Sequence, residues 1–145
     1  MTPRTKADNQ HAFTLVELIV IIVLLAILSG VAIPKYIDYT ARAKEAAARG
    51  CIGSAHSAIG YFYTNQMVLG AARYPTLVEL STLDVVLHEA LPPNPYNNFG
   101  AIRADTFLAS NPPINGGASA GYCYDAAVGR FWLNSATAGI NENLW

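Results

Sequence analysis

The sequence predicts an α+β protein in which a long N-terminal helix leads into a small antiparallel sheet. Three observations carry that prediction. Residues 13–33 are almost unbroken apolar sequence. From there to about residue 65, apolar side chains recur at helical steps. The second half of the chain is frequent in Asn, Gly and Pro, and holds GYCYDAAVGRFWLN at residues 121–134: two aromatic-rich alternating runs around a turn that contains Gly129.

The apolar run comes first. It is 21 residues long, and a helix needs roughly 20 apolar residues to cross a bilayer's hydrocarbon. Arg4 and Lys6 precede it, which by the positive-inside rule leaves the first residues in the cytoplasm and sends the rest across. Glu17 interrupts it. A carboxylate near the middle of a span costs on the order of a few kcal/mol, less near its end, and an acid at that depth calls for a partner. Three readings compete. The run is a plain anchor with Glu17 snorkelling to the interface; or a removable secretory signal cut after the small-x-small residues Gly30, Val31 and Ala32; or a retained helix whose acid has a function. The second reading is opposed by the acid and by a length beyond the usual 7–15-residue apolar core of a signal.

The helical pattern continues past the run. Ile37, Ala41, Ala48, Ile52, Ala55, Ile59 and Phe62 recur at steps of three, four or seven, with Asp38, Arg42, Lys44, Glu45 and Arg49 mostly on other faces. Unbroken, the helix is roughly 80 Å long. Pro34 removes one helix hydrogen bond, which predicts a kink around residues 30–34. Gly50, Gly53 and Gly60 are poor helix formers and read as points of close packing against a sheet or another chain. Tyr36, Tyr39, Tyr61, Phe62 and Tyr63 cluster on the same helix, and core packing is their expected use.

Thr76 and Glu79, in YPTLVEL, have capping-box spacing and predict a second helix, with apolar positions continuing to about Leu91. PPNPYNN at residues 92–98 ends it. A strand is expected within residues 101–108 and a second loop at residues 111–117.

Composition narrows the function classes. The chain has 145 residues, 9 Lys and Arg against 10 Asp and Glu, and a net charge of -1. That balance argues against nucleic acid as partner. His11, His56 and His88 have no ligand spacing to one another or to a cysteine and read as ordinary surface histidines. No nucleophile-elbow, phosphate-loop or dinucleotide fingerprint occurs, so no enzyme is predicted. Cys51 and Cys123 are too far apart in sequence for a zinc pattern. In an exported domain they can form one disulfide between the helix and the first arm of the hairpin. Against it, Cys51 lies one residue off the best stripe and strand alternation allows Cys123 to face away. In the cytosol they would be buried thiols.

The stretch AFTLVEL at residues 12–18 closely resembles the prepilin processing motif of type IV pilins and type II secretion major pseudopilins, and AIPKY at residues 32–36 is similar to the point where the family's first helix bends. The strong resemblance ends at about Tyr39. It implies a pilin fold with residues 1–12 as leader, 13–34 as a transmembrane and assembly helix, and 35–145 as a periplasmic or extracellular domain that includes the second half of the long helix. It implies cleavage between Ala12 and Phe13 by a prepilin peptidase, N-methylation of Phe13, and assembly through Phe13, Glu17 and Pro34, with a neighbour's Phe13 ammonium pairing Glu17 so that a poorly solvated charge sets the register. The family usually has Gly where this chain has Ala12, and the leader is only weakly basic; slower cleavage is the expected consequence. Implied partners are further copies of the chain in a helical homopolymer, the peptidase, an inner-membrane assembly platform, and minor pilins or pseudopilins. The implied location is the inner membrane, single-pass, and then a pilus or a periplasmic pseudopilus. The length and LPPNPYNN lean towards the pseudopilus, and the C-terminal two-cysteine loop of many surface pilins is absent. The alternative is a membrane-anchored pilin-like module for DNA uptake or adhesion; without residues 1–12 the balance is 7 Lys and Arg against 9 Asp and Glu, which disfavours DNA. No organic cofactor is implied. Calcium is a candidate on Asp105 and Asp125 with Asn97, Asn98 and loop carbonyls, since major pseudopilins often hold it in such a loop, though two carboxylates are a thin set and ordinary turn acids are the alternative.

Overall fold

A computed structural model describes residues 13–110, 112–114 and 120–145. The order is helix α1 (Leu15–Val68), helix α2 (Leu77–Ser81), strands β1 (Ile102–Ala104), β2 (Tyr122–Asp125) and β3 (Arg130–Leu133), and a closing 3-10 turn at Glu142–Leu144. This is the α+β arrangement of a long helix and a small sheet. Leader residues 1–12 and loop residues 111 and 115–117 lie outside the described residues.

The chain divides at Thr40 into two units. In the first, helix is assigned through Pro34 without a break. Proline has no N–H, so the carbonyl of Gly30 loses its usual helix donor there. Ile37 and Ala41, expected on the buried stripe, are exposed.

From Ala41 onward, α1 buries Ala48, Cys51, Ile52, Ala55, Ile59 and Phe62. The stripe is the predicted one, with Cys51 joining it. Tyr122 and Tyr124 of β2 and Phe131 and Leu133 of β3 pack on it, together with Leu80 of α2. Burying side chains of this size stabilises the fold by roughly 1.5–3 kcal/mol each. The Tyr122 hydroxyl donates to the Pro92 carbonyl at 2.7 Å, and that of Tyr124 donates to the Pro75 carbonyl at 2.7 Å. Both buried phenols are therefore satisfied, and each pins a proline-containing segment to the sheet.

The sheet order is β1-β2-β3. The predicted hairpin is present: Tyr122 pairs with Leu133, Cys123 with Trp132 and Tyr124 with Phe131, antiparallel. Gly129 takes φ +69° in its turn, and a Cβ there would strike the ring of Tyr74. β1 corrects the expectation of an all-antiparallel sheet, because it runs parallel to β2. The connection between β1 and β2 exceeds a dozen residues, which is what a return to the same end of a sheet requires. Part of that connection covers the sheet's second face, where Phe107 meets Trp132 edge-on at 5.4 Å and the Trp132 indole donates to Pro113 O. All four residues of β2 are consequently buried.

The second helix is shorter than predicted. Its capping box forms, with Thr76 Oγ1 accepting from Glu79 N–H and Glu79 accepting from Thr76 N–H. Arg73 clasps the same carboxylate with two bonds of 2.7 Å and holds it down to about 2. The helix nevertheless stops at Ser81. Ser81 and Thr82 hydroxyls back-bond to Leu77 and Val78 carbonyls, Thr82 is extended, and Asp84 has φ +65°. β-Branched Thr82, Val85 and Val86 also favour the exit from helix.

The candidate assembly site at the head of the long helix

Thr14 sits just before the first residue of α1. Its Oγ1 accepts from Glu17 N–H at 3.3 Å, while Glu17 Oε2 accepts from Thr14 N–H at 2.9 Å and from the Thr14 hydroxyl at 2.8 Å. This is a second capping box, T-x-x-E as at residues 76–79, and it places a negative charge in the first turn, where the helix dipole favours it. The sequence reading applied that spacing at Thr76 and missed it at Thr14. Glu17 Oε1 accepts no bond among the described residues.

From this cap to Thr40 no residue of the helix is buried by the described residues. Every large apolar side chain described between Phe13 and Ile37 is at least 43% exposed. The most apolar stretch of α1 has a mean hydropathy of 3.0 and is long and apolar enough to cross a membrane. Exposed apolar area on this scale far exceeds the patches that water-facing monomers tolerate. Phe13 itself is 77% exposed at the head of the helix, and Pro34 lies in the same unit. Ala12, the residue before the expected cut, lies outside the described residues.

The other predicted site residues behave differently. Cys51 and Cys123 are both buried and both free, which corrects the expected disulfide. Cys51 faces the sheet and donates to the Tyr122 hydroxyl at 3.2 Å. Cys123, one residue along β2, is turned by strand alternation to the opposite face, beside its partner Trp132. Burial raises the Cys51 thiol, an effect opposed by the Tyr122 bond, and pushes that of Cys123 up to about 11, with the Asp105 charge adding to it.

Asp105 and Asp125 border one cavity of about 430 Å³. Both Asp125 oxygens are engaged, by the N–H groups of Phe107 and Ala127 at 2.8 Å, and Asp105 accepts from Thr106 N–H. Among the described residues no three His, Cys, Asp or Glu come together as a metal would need. Asn97, expected among oxygen ligands, clamps the fold instead. Its amide donates to the carbonyls of Ala120 and Asn134, and its Oδ1 accepts from Phe99 N–H. Fully buried Asn94 does likewise, donating to Gly121 O and Ser135 Oγ and accepting from Tyr96 N–H. The LPPNPYNN segment is legible as a loop, but the anchoring role of its asparagines depends on which carbonyls the sheet presents.

His56 corrects its reading as a surface histidine: it is half-buried and accepts from Phe131 N–H at 3.3 Å. Burial and then the Arg130 charge lower its pKa, and the bond to Phe131 works the other way. His88, exposed, lies beyond the shortened α2, 3.4 Å from Asp84. Tyr61, Tyr36 and Tyr39 are exposed, whereas Phe62 is buried and Tyr63 stacks on Tyr74 at 4.6 Å.

Residues 8–33 match the family model described as the prokaryotic N-terminal methylation motif. The chain is 43% identical over 56 residues to the Type IV major pilin protein PilE1 of Neisseria gonorrhoeae, covering 39% of this chain and 34% of that protein. It is 36% identical over 59 residues to the Fimbrial protein EcpC of Eikenella corrodens, covering 41% and 39%. A Fimbrial protein of Neisseria meningitidis serogroup B is 43% identical over 56 residues, covering 39% and 33%. The matches thus span little more than a third of these relatives' length. No solved structure matches the chain. The methylation motif at the head of an exposed apolar helix, and the small sheet on that helix's second half, make this chain similar to type IV pilins.

Proposed function

We propose that the chain is a structural subunit of a type IV filament, held first in the inner membrane by its apolar helix and then polymerised through the same helix. The observation that carries this reading is the apolar surface of residues 13–37, with Glu17 near its head and one carboxylate oxygen unengaged among the described residues. A helix bare on all sides needs lipid or other chains around it, and a filament core of identical helices supplies the latter. Processing between Ala12 and Phe13 would create a cation at Phe13, close in sequence to the capped acid. Pairing across chains would turn the penalty of a poorly solvated carboxylate into a preference for one register. Minor subunits, an assembly platform and a peptidase are the partners this function requires. The names of the matched relatives, major pilins and fimbrial proteins, favour a pilus over a secretion pseudopilus.

The test is coexpression with a prepilin peptidase and an assembly system. Intact mass should show loss of residues 1–12 and one added methyl at Phe13, and mature subunit should appear in sheared filament. Glu17→Ala and Glu17→Gln should leave cleavage intact and lower filament yield at least tenfold. An uncut precursor, or a cut after Ala32, would refute the processing; normal filaments from both variants would refute the role of Glu17.

A further inference from the structure

After Tyr74 the exposed charged side chains are sorted by region. Between Tyr74 and Ile102 the chain has no Lys or Arg. Its acids there are Glu79, clasped by Arg73, and the exposed Asp84 and Glu89. Beyond Ile102 the sorting reverses. Asp125 is buried with both oxygens engaged, Glu142 is fully buried and closed on Thr137, and Asp105 is half-buried on Thr106 N–H. The exposed charged side chains left are Arg103 and Arg130. Arg130 lies over the Phe107 ring and makes no ion pair among the described residues.

Residues 86–92 of the first region and Arg130 of the second flank opposite sides of α1. Ser54 and Ala58 border an open cavity of about 380 Å³ with residues 86–92. His56 borders a different cavity, of about 280 Å³, with Arg130 and Trp145. Ser54 and His56 are two residues apart, which is about 200° around a helix. Arg49, with its guanidinium 3.9 Å from the Trp145 ring, belongs to the second side, though Glu45 at 3.0 Å neutralises much of it. On the first side, His88 adds positive charge only when protonated.

We infer that Asp84 and Glu89 on one side and Arg130 on the other are the two halves of a lateral contact between successive copies of this chain. The partner is a second copy because each surface finds its complement on the same molecule. A two-fold pairing would set like charges against each other. Acid against arginine is head-to-tail, and contacts of that kind propagate into open helices where the rotation does not close. Exposed ion pairs are individually weak, so they select register and neighbour while the apolar helices supply the attraction. The inference rests on the filament reading and adds to it which faces of the globular half meet.

The full chain, expressed with peptidase and assembly system, provides the test. Three variants are needed: Asp84→Lys with Glu89→Lys, Arg130→Glu alone, and all three changes together. All three sites are exposed, and immunoblots of membrane-bound mature subunit check that each variant is made and processed. Each one-sided reversal should lower sheared filament at least fivefold, and the combined reversal should restore it to within about twofold of the unaltered chain. Unchanged filament from the one-sided reversals would overturn the inference, as would a combined variant no better than its parents at equal subunit level. Those outcomes leave the filament reading standing. Absence of filament from the unaltered chain would overturn that reading and this one with it.

Discussion

At the scale of single residues, the two cysteines and His56 show how one hydrogen bond or one strand position decides chemistry. Cys51 and Cys123 lie on opposite faces of β2, both buried, with thiols raised above their ordinary range. Since the thiolate is the nucleophile, both should resist alkylation while folded. Intact mass should be identical with and without reductant, and iodoacetamide should add two groups only after denaturation. Loss of two mass units under oxidising expression would show a disulfide instead. His56 must keep a lone pair on Nε2 to accept from Phe131 N–H. Its folded pKa is lowered by burial and by Arg130, so the unfolded chain takes the proton first as pH falls through about 6.5. The contribution is complete above that pH and is lost towards the lower folded value. His56→Gln retains an acceptor and removes the titration. Thermal denaturation between pH 7.5 and 5 should show a shallower decline for the variant, and parallel curves would contradict this account.

At the scale of elements, glycines separate by what surrounds them. Gly50, Gly53 and Gly60 are exposed in α1, with open space where a Cβ would stand. Their expected use in packing against the chain's own sheet is not found. Alanine at each should stabilise the subunit by about 0.5–1 kcal/mol through helix propensity. Gly121 is the contrast, since a Cβ there would collide with the Phe99 carbonyl oxygen, which is backbone and cannot swing aside. Gly121→Ala should destabilise by roughly 1–3 kcal/mol or more. Urea titration in detergent orders the four variants. If the α1 alanines gain stability but lose filament, those glycines serve close approach by a neighbouring chain.

At the scale of the whole molecule, the chain joins two units with opposite solvation needs. Residues from Ala41 onward have a core of their own, while among the described residues up to Thr40 none is buried. The full chain should therefore stay dispersed in detergent above the micelle concentration and sediment as aggregate or filament when detergent is diluted away. A monomer stable in detergent-free buffer, seen by analytical ultracentrifugation, would contradict the exposure of the apolar helix.

Much of this was legible in the sequence because it rests on local patterns. Twenty-one apolar residues in a row, the 3.6-residue stripe of α1, the capping box at Thr76 and the turn of the β2–β3 hairpin each depend on neighbours in sequence. The likeness to type IV pilins followed from AFTLVEL for the same reason. The capping box at Thr14 was equally local and legible. Other features depended on what distant segments present to one another. The parallel pairing of β1, the clamps of Asn94 and Asn97, and the burial of both faces of β2 require the connections across the sheet to be in place. The end of α2 at Ser81 was visible only in part, because apolar spacing continued beyond it while β-branched residues opposed it. The disulfide failed on a single alternation of a strand, a fact that register decides and cysteine spacing does not. Sequence by itself determined the bare helix and its acid, since covalent order alone puts them there. Tertiary structure decided which carboxylates are spent on backbone N–H groups and which charges stay outside, because only packing determines which polar groups lose water.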